Sequence, residues 1–141
     1  MYELDEKDHK IIEILKQDSR MSIRDIAKKT WIRPSTVHQR ITQLRKKGAI
    51  EKFTLKLNNE AIGENFIVFM LVNTTKDLDI KTVHNNHIKE LFGVTGEYDL
   101  IIKLKFKDVR EFNDFVIDFR KKEGVKETLT MVATIGLKEE I

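Results

Sequence analysis

Ser35, Thr36, Gln39, Thr42, Gln43 and Lys46 fall within twelve residues of one another. Stepped at 100° per residue with Val37, Ile41 and Leu44 buried, all six turn outward from a single helix. Glutamine amides bond bidentately to adenine N6 and N7, and hydroxyls serve either base type. A helix carrying both in its N-terminal half therefore suits readout of base edges in a major groove. Lys28, Lys29, Arg33, Arg40, Arg45 and Lys47 flank that face. Such cations meet phosphates, which gives position and affinity but no sequence preference. A solvated helix surface is the competing reading of the same residues, and the surrounding pattern has to decide between the two.

Other chemistries find less support. His84 and His87 stand three apart, but no carboxylate or thiolate sits at a matching spacing, so no metal site is expected. The chain has no Ser/His/Asp order, phosphate loop, His-Glu-x-x-His or strand-linked Gly-x-Gly-x-x-Gly, so it is not expected to be an enzyme or to hold a cofactor. Zero Cys among 141 residues rules out disulfides and thiolate chemistry and suits a reducing compartment, with the cytoplasm as the expectation. No signal peptide is expected in the first ten residues, and no stretch approaches the roughly 20 apolar residues of a membrane span.

Three short helices must hold the polar face. Asp5 is the expected cap of the first, which runs to about Gln17 with Ile11, Ile12, Ile14 and Leu15 on its apolar face. Ser22 and Asp25 have capping-box spacing for a second, with Ile23, Ile26 and Ala27 inward. It cannot run far past Lys29, because Pro34, the single proline, prefers the first turn of the next helix, which Gly48 closes. A turn of about four residues between the last two helices reads as helix-turn-helix. Charge follows the same division. Residues 1–58 hold 14 Lys+Arg against 8 Asp+Glu, whereas residues 59–141 hold 12 against 15, so the net +3 conceals a basic N-terminal half.

Ile50, Phe53, Leu55 and Leu57 then read as a strand, and Asn58 to Asn65 as a polar joint. The expected division is a helix-turn-helix domain over 1–50, a connecting strand and hinge over 51–65, and a second domain over 66–141. Phe66 to Val72 is a strand apolar on both faces. Ile80, Val83, His87, Ile88 and Leu91 fit a helix that His87 packs onto a sheet, and Phe92–Gly96 and Leu100–Phe106 fit two strands. Val109, Phe112, Phe115, Val116 and Phe119 fit a second helix, and Leu129, Met131, Ala133, Ile135 and Leu137 alternate along a last strand. The fold class is α+β: a three-helix helix-turn-helix joined to a ferredoxin-like β-α-β-β-α-β domain. Two helices cover one face of such a sheet, so the second face calls for another copy, and a homodimer is expected.

Leu4, Asp5, Asp8, Asp18, Ile26, Ala27, Val37, Arg40, Ile41, Leu44, Gly48 and Ile50, continuing through Leu57, Asn58, Ile62 and Gly63, resemble the N-terminal half of the Lrp/AsnC, or feast/famine, family of transcription regulators. The turn departs from the family, which usually has Gly then Leu-Ser where this chain has Trp31-Ile32-Arg33. An aromatic in place of glycine implies a turn that is not strictly left-handed. Core packing is the expected role for Trp31, with a lid or a contact to the DNA backbone as the alternatives.

The resemblance implies a sequence-specific DNA-binding regulator whose C-terminal domain senses an amino acid or related metabolite. Its partners would be double-stranded DNA and copies of itself, as dimers and then tetramers or octamers. The family's ligand loop resembles Gly96-Glu97-Tyr98-Asp99. There the glycine loop offers backbone N–H groups, Thr134 a hydroxyl for the carboxylate, and Asp99 a charge for the ammonium, in a pocket between dimers. A tight structural hairpin is the competing reading of the loop. The competing reading of the whole chain is an architectural protein that coats DNA, or an assembly protein that binds a small molecule; a purely basic third helix would favour the former.

Overall fold

The structure, a computed structural model, describes residues 3–141. The chain divides between Leu55 and Lys56 into two compact units, within the stretch read as a connecting strand and ahead of the polar joint expected over Asn58 to Asn65.

In the first unit, local caps set the helix boundaries. Asp5 and Asp8 form a reciprocal capping box at the start of α1 (Glu6–Gln17): the Asp5 carboxylate accepts the Asp8 N–H at 2.9 Å, and the Asp8 carboxylate accepts the Asp5 N–H at 3.1 Å. The Ser22 hydroxyl accepts the Asp25 N–H at 3.1 Å and opens α2 (Ile23–Thr30). Pro34 is the first residue of α3 (Pro34–Lys46), and Gly48 follows the helix at φ 79°, the left-handed conformation that glycine adopts without strain. Ile11, Ile26, Ala27, Ile32 and Val37 form the core, backed by Ile14, Leu15, Met21, Ile23 and Ile41.

Asp5 also makes this unit sensitive to acid. The Asp8 amide and then the Arg40 guanidinium hold its carboxyl below the ordinary 3.8. A carboxyl depressed on folding contributes stability above its unfolded value, and that stability is lost as pH falls through the folded one. From 3.8 downward the wild type should therefore lose helix stability more steeply than Asp5→Asn, as denaturation monitored by circular dichroism across that range will show.

The expected strand over residues 50–57 does not form; residues 51–58 carry no regular structure. Phe53, Leu55 and Leu57 have a strand's alternation, but a strand needs a ladder partner, and no described segment pairs with this one. All three side chains are exposed, and the Arg45 guanidinium lies 5.3 Å from the centre of the Phe53 ring.

The second unit is an antiparallel sheet in the order β2-β3-β1-β4, made of β1 (Phe66–Thr74), β2 (Ile88–Gly93), β3 (Leu100–Phe106) and β4 (Val125–Val132). Two helices join the strands: α4 (Ile80–Val83) and α5 (Val109–Arg120), the latter capped by Asp108. The element order is the expected ferredoxin-like one. Val68, Met70 and Val72 alternate inward with Ile102, Leu104 and Phe106 and meet Val116 and Phe119 of α5.

The helix expected through Leu91 is a single turn. Asp79 caps it, and the Asn85 carboxamide oxygen then accepts the His87 N–H at 2.9 Å, turning the chain into β2. The misleading signal was a β-bulge. The register slips between Ile88 and Glu90, so Ile88 faces Leu104 and Leu91 faces Ile102, which gives two inward residues a helix-like spacing of three on one strand. His87 therefore lies in the turn before β2 and not on a helix, yet it still packs on the core, stacked 4.6 Å from the Phe106 ring. The last strand ends at Val132, short of the expected Leu137. The Ala133 N–H donates to the Ile67 carbonyl at 2.9 Å, and β1 offers almost no backbone beyond that point because it begins at Phe66.

Candidate functional site

Ser35, His38, Gln39, Thr42 and Lys46 form an exposed stripe on α3 at spacings of three and four, with Pro34 and Arg45 also exposed on the helix. Thr36 and Gln43 are half-buried beside it. His38 was missed in the sequence reading, although its angular position between Ser35 and Thr42 marks it; a neutral imidazole can donate and accept a hydrogen bond. The Thr42 hydroxyl donates back to the His38 carbonyl at 2.9 Å, which turns it onto its own helix. Lys28, Lys29, Arg33, Lys46 and Lys47 are all exposed. Arg33 is the N-cap of α3 but makes no side-chain cap, so the first-turn amides there have no side-chain acceptor, and they sit at the positive end of the helix dipole.

Arg40 does not sit with the other cations. Its guanidinium turns onto the α1 capping box, pairing with Asp5 and reaching Asp8 Oδ1 at 3.4 Å. Sequence spacing placed it beside the polar face. Two carboxylates from a helix more than thirty residues away hold it instead, as a brace between α1 and α3.

Trp31 overturns both expectations for the turn. Its φ of 60° and ψ of 27° are left-handed, and the indole is 96% exposed. The flanking residues explain this. Thr30 is buried, with its hydroxyl donating to the Ile26 carbonyl at 2.7 Å, and Ile32 is buried in the core. With residues 30 and 32 both inward across a tight turn, residue 31 is left outside.

In the second unit, Gly96 adopts φ 117° in the loop before β3. Asp99 is engaged by its own chain: its N–H donates to the Val72 carbonyl at 3.0 Å, and its carboxylate accepts the Thr74 N–H at 2.8 Å and the Thr74 hydroxyl at 3.3 Å. Both Thr74 bonds fall on Oδ2, and Asp99 is exposed. Glu97 is exposed and Tyr98 half-buried. Thr134 lies in a bend beyond β4, not on the strand. Ala133 bonds to Ile67 while Asp99 bonds to Val72, so Thr134 and the loop lie at opposite ends of β1, about 16 Å apart along the strand. One chain does not bring the five expected effector residues together.

A charged cluster on the sheet face away from α5 had no signal in the sequence. Lys105 Nζ donates to Asn59 Oδ1 at 2.7 Å and to Glu139 Oε1 at 3.0 Å, the Asn59 amide donates to the same oxygen at 3.0 Å, and Lys103 pairs with Glu139. The Lys103 hydrogen bond, followed by those from Asn59 and Lys105, holds the Glu139 carboxyl far below the usual carboxylate range. Glu139 thereby pins the C-terminal segment to β3.

A family model described as winged helix-turn-helix DNA-binding matches residues 4–51, and one described as the Lrp/AsnC ligand binding domain matches residues 68–140. The chain belongs to the Lrp/AsnC family. HTH-type transcriptional regulator FL11 of Pyrococcus furiosus is 39% identical over 133 residues, covering 92% of this chain and 88% of that protein. Its counterpart in Pyrococcus abyssi is 36% identical over 140 residues, covering 96% and 93%. Among solved structures, a Neisseria meningitidis transcriptional regulator in complex with L-Met superposes with a TM-score of 0.89 at 23% identity, covering 98% of this chain and 94% of that one. Escherichia coli AsnC gives 0.88 at 19%, covering 99% and 98%. The Lrp/AsnC family is one of transcription regulators and not of enzymes. Its DNA-binding model spans α1 to α3, and its ligand-binding model spans the sheet, the Gly96–Asp99 loop and Glu139.

Proposed function

We propose that this Lrp/AsnC protein is a sequence-specific transcriptional regulator that lays α3 in the major groove of double-stranded DNA. The observation that carries the reading is the exposed stripe of Ser35, His38, Gln39, Thr42 and Lys46 flanked by Lys28, Lys29, Arg33 and Lys47. A DNA-coating protein needs only the cations; a reader of sequence needs the amide and the hydroxyls. Gln39→Ala is expected to lose roughly 1–3 kcal/mol at the cognate site and far less on random DNA. Lys28→Ala is expected to weaken both alike and to lower the salt slope by about one. Binding titrations on the two DNAs at several salt concentrations check both, and equal losses for Gln39→Ala on the two DNAs would leave α3 as a coating surface.

The regulator works as a homodimer in the cytoplasm, with tetramers or octamers as higher states. The support is the apolar half of the outer sheet face, where Phe69, Leu71, Phe92, Ile101, Leu129 and Met131 have no helix over them. An amino acid or related metabolite is the effector class. The Lrp/AsnC ligand-binding match and the L-Met complex of the Neisseria neighbour support that class. Because Thr134 and the Gly96–Asp99 loop lie at opposite ends of β1, a pocket using both takes the loop from one copy and Thr134 from another. Ligand there would bias assembly and, through it, DNA affinity.

A further inference from the structure

Trp31 combines a strained backbone with an unused side chain. Its φ of 60° puts a bulky residue where the other described positive-φ positions are glycines, and with the indole 96% exposed no packing within the unit offsets the strain. Glycine at this position would relieve the strain and remove the exposed ring. The surroundings are selective. Lys28 and Lys29 lie in the last turn of α2 just before it, and Arg33 lies just after it. All three are exposed, none makes an ion pair among the described residues, and Asp25 is the single acid between Arg24 and Lys47. Three cations around an exposed ring favour a polyanion over the apolar face of another protein. Indole offers that polyanion two things, a flat apolar body and one Nε1–H donor, with no charge of its own.

We propose that Trp31 seats on the sugar–phosphate backbone of bound DNA, its ring against deoxyribose and its Nε1–H donating to a phosphate oxygen at the edge of the groove that α3 occupies. This rests on the DNA-binding reading above. With the N-terminal half of α3 facing the bases, the turn three residues ahead of Pro34 meets the strand that borders the groove. A contact of this kind adds affinity and register without sequence preference. Being uncharged, it also leaves the salt dependence of binding alone, unlike the neighbouring lysines. The left-handed turn is then a strain borne by the free protein to hold the ring outward.

Trp31 is the sole tryptophan of the chain, so its emission in the unlabelled full-length protein reports on this point alone. A dye-labelled duplex carrying the regulated site is titrated with protein, with dye anisotropy measuring binding and tryptophan emission and acrylamide quenching measuring contact. In the free protein the emission is expected at the red, water-exposed limit and freely quenched; at saturation it shifts and acrylamide access falls severalfold. Trp31→Gly is expected to bind cognate and random duplexes about tenfold more weakly, with an unchanged salt slope, while melting at a higher temperature than wild type. That opposition of stability and affinity is what a merely structural role would not produce. A variant that binds more weakly and also melts lower overturns the proposal. So does free protein whose emission is already shielded in a concentration-dependent way, since the ring would then belong to another copy. Saturated binding with Trp31 still fully open to acrylamide overturns the contact and leaves the DNA-binding reading standing; no anisotropy change at all overturns both.

Discussion

Leu71→Asp is expected to turn a dimer into a folded monomer. Leu71 sits on β1 between Ile101 of β3 and Leu129 of β4, on the face away from α5, and Phe69 and Met131 form the next rung. Phe92 lies opposite Ile101 and is 60% exposed, Leu129 is 45% exposed and Met131 is 47% exposed. Apolar side chains left this open on one contiguous face are the surface that the proposed dimer would cover. A carboxylate at the centre of that interface would be buried without a partner, so the dimer should weaken about a hundredfold or more, roughly 3 kcal/mol. The fold should survive, because Met70 and Val72, the residues that face the core on either side of Leu71, are untouched. DNA affinity should fall as well, since two helix-turn-helix units no longer engage paired half-sites together. Sedimentation at micromolar concentration and circular dichroism are the measurements. A variant that stays dimeric, or a wild type that sediments as a monomer, sinks the assignment of this face.

Phe106→Ala is expected to lower the melting temperature of the second unit by roughly 15 °C or more while leaving the α1–α3 unit with its own transition. Phe106 is fully buried, stacked on His87 and set edge-on to Phe112 at 5.5 Å, with Phe115 at 5.4 Å. Truncating a ring at the centre of such a cluster removes its transfer energy and leaves a cavity. The loss is about 3–5 kcal/mol, a large share of the roughly 5–15 kcal/mol that holds a typical domain together. The first unit's core contains none of these residues, so the two transitions should separate in calorimetry of the full chain. A shift below about 4 °C would mean that the neighbouring rings collapse into the gap.

What was legible in the sequence was local. Asp5 and Ser22 announce helix starts because a cap bonds to amides within three residues of itself, and Pro34 does so because its fixed φ and missing N–H suit a first helical position; the structure begins α1, α2 and α3 there. The stripe on α3 was legible for the same reason, since helical geometry alone carries Ser35 to Gln39 and Thr42. The apolar runs of β1 and β3, the helical period of α5 and the alternation of β4 likewise pointed to the order of the second unit, because burial imposes its period residue by residue.

What tertiary structure decided depends on a partner distant in sequence. Phe53 to Leu57 alternates like a strand but finds no ladder among the described residues, and Ile88 and Leu91 looked helical because only pairing with β3 creates the bulge between them. Arg40 belongs by spacing to the DNA-facing cations, yet the carboxylates of Asp5 and Asp8 claim it, and Lys103 and Lys105 are drawn to Glu139 in the same way. Trp31 is outside because Thr30 and Ile32 are both inside, a choice made by the core and not by the indole. Composition, caps and periodicity thus determined the two kinds of half, the three N-terminal helices, most elements of the second half and the polar face of α3, since each follows from forces acting within a few residues. Which strand pairs, which charge is already taken and which ring is left to solvent were settled only where distant segments meet, because hydrogen bonds and ion pairs there form between neighbours in space that sequence distance does not reveal.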